Sequence, residues 1–203
     1  MTSTFSGELP LASNIPQEKR AGSGYIPGEP SMWFFVIGDL LIFGVYFVTY
    51  MYYRGQNQTL FLQSQQHMNQ GVGIANTIVL LTSSLFVALG TETARNGKAA
   101  EAYRLIGAAV VLGTVFPLLK LLEWVPKIGT GLTPGRNLFF TFYYLMTGLH
   151  LCHVLLGLVI LAFVMRNLRT AGPSIELVET GATYWHMVDL LWLVLFALFY
   201  LMR

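Results

Sequence analysis

Charge is scarce in this chain: Asp, Glu, Lys and Arg make up only 11% of its 203 residues, against 54% hydrophobic residues. An ordinary soluble domain carries about a quarter charged residues, so an average water-soluble fold is excluded. Cysteine is nearly missing. The lone Cys152 excludes an intrachain disulfide framework and any cysteine-based cluster, and its apolar surroundings give it no reactive setting. Basic clusters are missing too. The 12 Lys and Arg residues lie scattered between apolar runs and leave a net charge of +2, which excludes nucleic acid as a partner. Residues Met1–Pro30 hold Gly, Ser, Pro and charged residues but no short apolar core with a small-residue cleavage site. They are expected to form a flexible or surface-lying tail and not a signal peptide.

What is present is apolar sequence in long runs, with a mean hydropathy of +0.57. A bilayer core requires about 20 apolar residues of helix. Five stretches qualify: Ser31–Tyr53, Gly71–Thr91, Tyr103–Trp124, Leu138–Met165 and Ala182–Met202. The expected fold is an all-α membrane protein, a five-helix bundle over residues 31–203 behind a tail over residues 1–30. The fourth run exceeds the bilayer and should tilt or protrude, and Pro117 should bend the third. Trp33, Tyr52, Tyr53, Trp124, Tyr184, Trp185 and Tyr200 mark span ends at headgroup level.

With a cytoplasmic N-terminus, one side receives Lys19, Arg20, Arg95, Lys98, Arg104, Arg166 and Arg169, and the other Arg54, Lys127, Arg136 and Arg203. That bias predicts the N-terminus and its tail in the cytoplasm, and the C-terminus in the periplasm of a bacterial inner membrane. The Gln/Asn-rich Gln56–Gln70 segment reads as an outer loop with no site in it, and its His67 as solvated.

Ionisable side chains at bilayer depth are costly unless paired or facing a polar cavity. Asp39, Lys120, Glu123, His150, His153, His186 and Asp189 are such groups. A spacing of three puts His150 with His153, His186 with Asp189, and Lys120 with Glu123 on single helix faces. At about 1.5 Å of rise per residue, Asp39 lies about 12 Å into the first span, and Asp189 at a similar depth in the last. An inner-leaflet network of Asp39, His150, His153, His186 and Asp189 is therefore expected, with Lys120 and Glu123 as a separate outer pair. Interhelical hydrogen bonding is the plain reading of the network. A proton relay, a haem held by histidines of two helices and a polar lipid or quinone cleft are the sharper ones. Two histidines three apart on one helix cannot ligate opposite faces of one iron, and three membrane histidines are too few for a multi-histidine centre. No catalytic residue, metal ligand or intrinsic cofactor is assigned.

In the second span Gly73, Asn76, Leu80, Ser83, Val87 and Gly90 repeat at spacings of three and four. This mostly small-residue stripe should pack closely against another helix. Asn76, Thr77, Thr82, Ser83 and Ser84 also allow a polar passage. Glu92 reads as interfacial, and Gly157 as a further packing position in the fourth span.

The most specific text is Thr147-Gly-Leu-His150-Leu-Cys-His153-Val-Leu-Leu-Gly157 followed by Tyr184-Trp-His186-Met-Val-Asp189-Leu-Leu-Trp192. Together these resemble the histidine-rich and Trp-His-Asp signatures of subunit III of haem-copper oxidases. Leu121-Leu122-Glu123-Trp124, Asn76-Thr77 and Ser83-Ser84 extend the likeness over Pro27 to Arg203. Five helices instead of seven resemble the shorter form found in quinol oxidases and in nitric-oxide-reductase-associated proteins, and the lead-in Ile26–Trp33 with Asp39 is most similar to the latter, NorE-like branch associated with denitrification. The resemblance implies a non-catalytic subunit without haem or copper, docked on a catalytic haem-copper subunit among the other subunits of a respiratory complex. It also implies bound phospholipid, and a role for Glu123, His150, His153, His186 and Asp189 in stability and proton uptake. A b-type cytochrome and a proton channel or transporter are the alternatives. Neither the complex's substrate, oxygen or nitric oxide, nor its donor, quinol or cytochrome c, is written in these residues.

Overall fold

The computed structural model describes residues 30–170 and 172–202. The tail expected over residues 1–30 lies, except for the backbone of Pro30, outside the described residues. Within them every regular element is helical: α1 (Pro30–Gln56), α2 (Gln58–Gln65), α3 (Gln70–Arg95), α4 (Ala99–Gly129), α5 (Leu138–Leu168) and α6 (Ile175–Phe196), which passes into a π turn (Ala197–Leu201). Five helices among the described residues are long and apolar enough to cross a membrane.

Side-chain caps fix several ends. The Asn69 carboxamide accepts from the Gly71 and Val72 amides at the start of α3, Asn137 from Phe140 at the start of α5, and Ser174 from Leu177 at the start of α6. Such caps satisfy amide groups that a helix leaves unpaired. Gly97, at φ +76, turns the chain from α3 into α4 in a backbone conformation that favours glycine. All five helices outrun the expected spans. The largest difference is at α6, which starts at Ile175, seven residues before Ala182. Its first turns carry Glu176 and Glu179, which hide the helix from a hydropathy reading, while the Ser174 cap starts it. α4 runs unbroken through Pro117 and Pro126.

Long helices alternate in direction, so the bundle has two ends. The N-terminal end holds the start of α1, the α3–α4 turn and the start of α6. The opposite end holds α2, the α4–α5 loop and the π turn. α6 is central, packed on α1, α3 and α5, whereas α1 is peripheral: 61% of the α6 span is buried, against 11% of α1.

Small residues set the closest approaches. A Cβ on Gly90 would lie 2.7 Å from Ile106 of α4, and one on Gly73 2.8 Å from Tyr200. Between them Ser83 donates to the Ala109 carbonyl of α4 at 2.8 Å. Asn76, on the same stripe, is fully buried with no hydrogen bond to either polar atom of its side chain. The Trp185 indole is wedged between helices, 2.7 Å from a Cβ placed on Gly113 and 2.9 Å from one on Gly157.

The Gln56–Gln70 segment differs most from expectation, because it folds as α2 with Phe61, Ser64 and Gln65 buried. Its polar side chains close the π turn. Gln65 and Tyr50 both donate to the Leu198 carbonyl, Gln70 to that of Tyr200 and Arg54 to that of Met202. Carbonyls displaced from the regular helical ladder find side-chain donors there instead. His67, by contrast, is exposed.

Candidate functional site

The expected five-residue network is resolved into three separate arrangements. In the first, His153 Nε2 of α5 lies 3.3 Å from Asp39 Oδ2 of α1, and its Nδ1 lies 2.8 Å from the Leu149 carbonyl. A carbonyl only accepts, so Nδ1 carries a hydrogen. The pair stands near the periphery, with side-chain exposures of 16% and 20%. A shallow hollow of α1, lined by Phe34, Phe35, Gly38 and Ile42, opens beside Asp39.

In the second arrangement His186 Nδ1 of α6 lies 2.6 Å from the Ser84 hydroxyl of α3. Asp189 follows one turn along α6. Asp189 is buried, and its Oδ1 has no hydrogen-bond partner. His186 also lines a cavity of about 270 Å³ between α3 and α6, whose rim carries Glu92, Arg95 and Glu179. There Arg95 Nε donates to Glu179 Oε1 at 2.9 Å, and Glu92 lies 3.7 Å from the same guanidinium. Among the described residues no hydrogen bond links Ser84, His186 or Asp189 to the Asp39–His153 pair.

His150 belongs to neither. It is fully buried, yet neither ring nitrogen has a hydrogen-bond partner, and its ring lies against Trp192 and edge-on to Phe116. The spacing of three that groups it with His153 in sequence separates them here, since α5 turns His150 into the core and His153 toward α1. His150 is an aromatic packing element, a correction to its place in the expected network.

At the opposite end Lys120 and Glu123 form an ion pair of 2.9 Å, but they are not alone. Lys127 donates to Glu123 Oε1 at 2.5 Å, and the Tyr200 hydroxyl donates to the same carboxylate at 2.8 Å and 2.9 Å. The Lys120 ammonium also donates to the hydroxyls of Tyr200 and Tyr143, at 2.9 Å and 3.3 Å. It sits over the rings of Tyr143, Trp192 and Tyr200 at 4.9 to 5.3 Å. With Lys120 1% exposed, this is a buried cluster of two cations, one anion and two phenols and not a pair alone. Cation–ring attraction and direct donors together offset the loss of water around the ammonium.

Sequence reasoning missed Ser84 as a histidine partner, the Arg95–Glu179 bridge, and Lys127, Tyr143 and Tyr200. The i, i+4 spacing of Glu123 and Lys127 was the one legible signal among these. Among the described residues no group of three or more His, Cys, Asp or Glu is arranged to hold a metal ion.

The family model of cytochrome c oxidase subunit III matches residues 29–203. The chain belongs to that family. Subunit III relatives include cytochrome c oxidase subunit 3 of Synechocystis sp., 30% identical over 172 residues that cover 83% of this chain and 72% of the relative. Cytochrome bo(3) ubiquinol oxidase subunit 3 of Buchnera aphidicola is 22% identical over 173 residues, covering 84% of each chain. In Aeropyrum pernix the similar region, 29% identical over 186 residues, occupies 22% of a haem-copper oxidase subunit I+III and covers 84% of this chain. The subunit III match begins one residue before α1 and spans all five long helices, so Asp39, the two α6 groups and the Lys120 cluster lie within it. A multi-pass membrane protein follows from the five apolar helices together with this family.

Proposed function

We propose that the chain is a non-catalytic accessory subunit of a haem-copper respiratory complex, docked on the catalytic subunit and supporting its stability, assembly and proton uptake. The observation that carries this is the subunit III match across every long helix, residues 29–203. The joined subunit I+III of Aeropyrum pernix, named as one protein, supports direct contact with a catalytic subunit. The three membrane histidines support a role without bound haem. His153 is engaged by Asp39 and Leu149, His186 by Ser84, and His150 is enclosed by aromatic rings. The side of α1 around Asp39 is open and apolar, which suits structural phospholipid. Basic residues favour the N-terminal end in the cytoplasm of a bacterial inner membrane. A second, finer reading places the chain in the nitric-oxide-reductase-associated branch, and the Ile26–Trp33 lead-in with Asp39 favours it.

The test is affinity purification of the tagged chain from native membranes, with identification of its partners and a visible spectrum of the isolated subunit. The expected result is a stoichiometric haem-copper catalytic subunit in the complex and no Soret band in the chain alone. A stoichiometric bis-histidine haem in the isolated chain overturns the accessory reading in favour of a b-type cytochrome. The substrate reduced by the co-purified complex, oxygen or nitric oxide, decides the branch.

A further inference from the structure

We propose that α1 is a hinged arm, anchored at its C-terminal end and caught midway by the Asp39–His153 contact, whose free end swings to open or close the groove between α1 and α6 to the bilayer. The arm goes beyond the accessory role and does not depend on it.

A single face of α1 turns inward, carrying Val36, Phe43 and Tyr50 at spacings of seven. The grip along that face is uneven. At the C-terminal end the Tyr50 ring packs edge-on with Phe61, Phe142 and Phe199 at 5.1 to 5.9 Å, and its hydroxyl donates to the Leu198 carbonyl at 3.3 Å. One turn further on, Arg54 donates to the Met202 carbonyl at 3.0 Å. α2, α5 and the π turn all hold this end, which makes Tyr50 the pivot.

Midway along α1, His153 of α5 supplies the catch. Its ring stands edge-on to Phe43 at 5.4 Å, and its Nε2 lies 3.3 Å from Asp39 Oδ2. Tyr50 is three helical turns beyond Asp39, so releasing the catch leaves the pivot intact. Toward the N-terminal end the grip fades. Among residues 31–38 only Val36 is buried, while Phe34 and Phe35 are 85% and 72% exposed. Here α1 and α6 part around a groove of about 340 Å³, with Trp33, Val36 and Leu40 on one side and His186, Met187 and Leu190 on the other.

On α1 this groove runs from Trp33 to Leu40, so it begins at the free end and stops at the level of the catch. Water does not fill an apolar hollow, and its walls lose contacts unless the arm closes or a chain of the bilayer enters. A helix with few buried contacts beyond its last fastening is the part of a bundle that moves at least cost.

The experiment is dipolar electron paramagnetic resonance on the full chain in lipid nanodiscs, with Cys152→Ser removing the native thiol. One spin-label pair, Phe34→Cys with Leu177→Cys, spans the N-terminal ends of α1 and α6. The other, Met51→Cys with Leu201→Cys, spans the pivot. With the catch intact, the first pair should already show a broader distance distribution than the second. Asp39→Leu, and separately His153→Phe, which keeps a ring against Phe43, should raise the longer-distance population of the first pair by about threefold, the equilibrium equivalent of one average hydrogen bond between membrane helices. The second pair should not change. In the same two variants Met187→Cys, buried in the groove wall, should react faster with a membrane-permeant maleimide. Equal widths for the two pairs with the catch intact overturn the arm, and so does a first pair that neither variant moves. A second pair that broadens as far as the first means that α1 detaches whole, which overturns the pivot and the arm with it.

Discussion

The imidazole of His150 lies 5.5 Å from the indole of Trp192, at an interplanar angle of 30°, while the Lys120 ammonium sits 4.9 Å from that same indole. One tryptophan thus joins a histidine without hydrogen bonds to a buried cation. For His150 ring shape should matter more than ring nitrogens. His150→Phe is expected to keep the folded yield and thermal midpoint of the wild type in detergent. His150→Ala should lower stability by about 2 to 4 kcal/mol through the cavity it leaves. Matching losses in both variants would reveal a polar role for the imidazole.

Among the described residues Glu123 is the sole anion paired with Lys120 and Lys127. Glu123→Leu should therefore strip both cations of their counter-charge and cost about 3 to 5 kcal/mol, the range for breaking a buried pair. Lys120→Met should be milder, because Glu123 keeps Lys127 and Tyr200. The measurement is membrane yield and thermal stability of the two variants, and the reverse order would contradict the geometry.

Asp189→Leu is a gentler change than the sequence alone suggests. From spacing, the substitution leaves histidine donors unmatched; in the structure His186 bonds to Ser84, and Asp189 Oδ1 has no partner to lose. Asp189→Leu should fall well short of the Glu123→Leu loss in the same yield assay. Equal losses would show that Asp189 anchors the bundle.

Trp185 fills notches at Gly113 and Gly157. Gly113→Ala and Gly157→Ala place a methyl group 2.7 to 2.9 Å from a rigid indole, and each should cost about 1 to 3 kcal/mol as overpacking. A smaller residue in Trp185→Leu should relieve most of that loss in the double variant. Gly38→Ala and Gly44→Ala, with nothing within 4 Å of the added carbon, should leave stability unchanged. Thermal melts of these variants check the set.

For the Asp39–His153 pair, a double-mutant cycle with Asp39→Asn and His153→Phe should give a coupling of about 0.6 kcal/mol and under about 2. A coupling near zero would mean that the contact does not help to hold α1 against α5.

The long helices were legible because apolar runs of bilayer length have no other use, and the small-residue stripe of α3 because close helix approach demands it. Intramembrane ionisable residues stood out individually for the same energetic reason. Their partners did not. Ser84 looks in sequence like any small polar residue of a packed helix, and only the register of α3 against α6 brings it to His186. Tyr200 reaches Glu123 from a π turn, whose wider winding no regular periodicity reveals. α2 was hidden by its composition, since Gln and Asn read as solvated unless carbonyls from a distant segment need donors.

Those carbonyls, from Leu198 to Met202, are grasped by side chains of α1, α2 and the beginning of α3. During biosynthesis the early helices enter the bilayer long before their acceptors are made. Tyr50, Gln65 and Gln70 must wait with unfulfilled donors until the sixth helix arrives, so a ribosome stalled inside α6 would leave a nascent bundle recognisable to membrane quality control as unfinished.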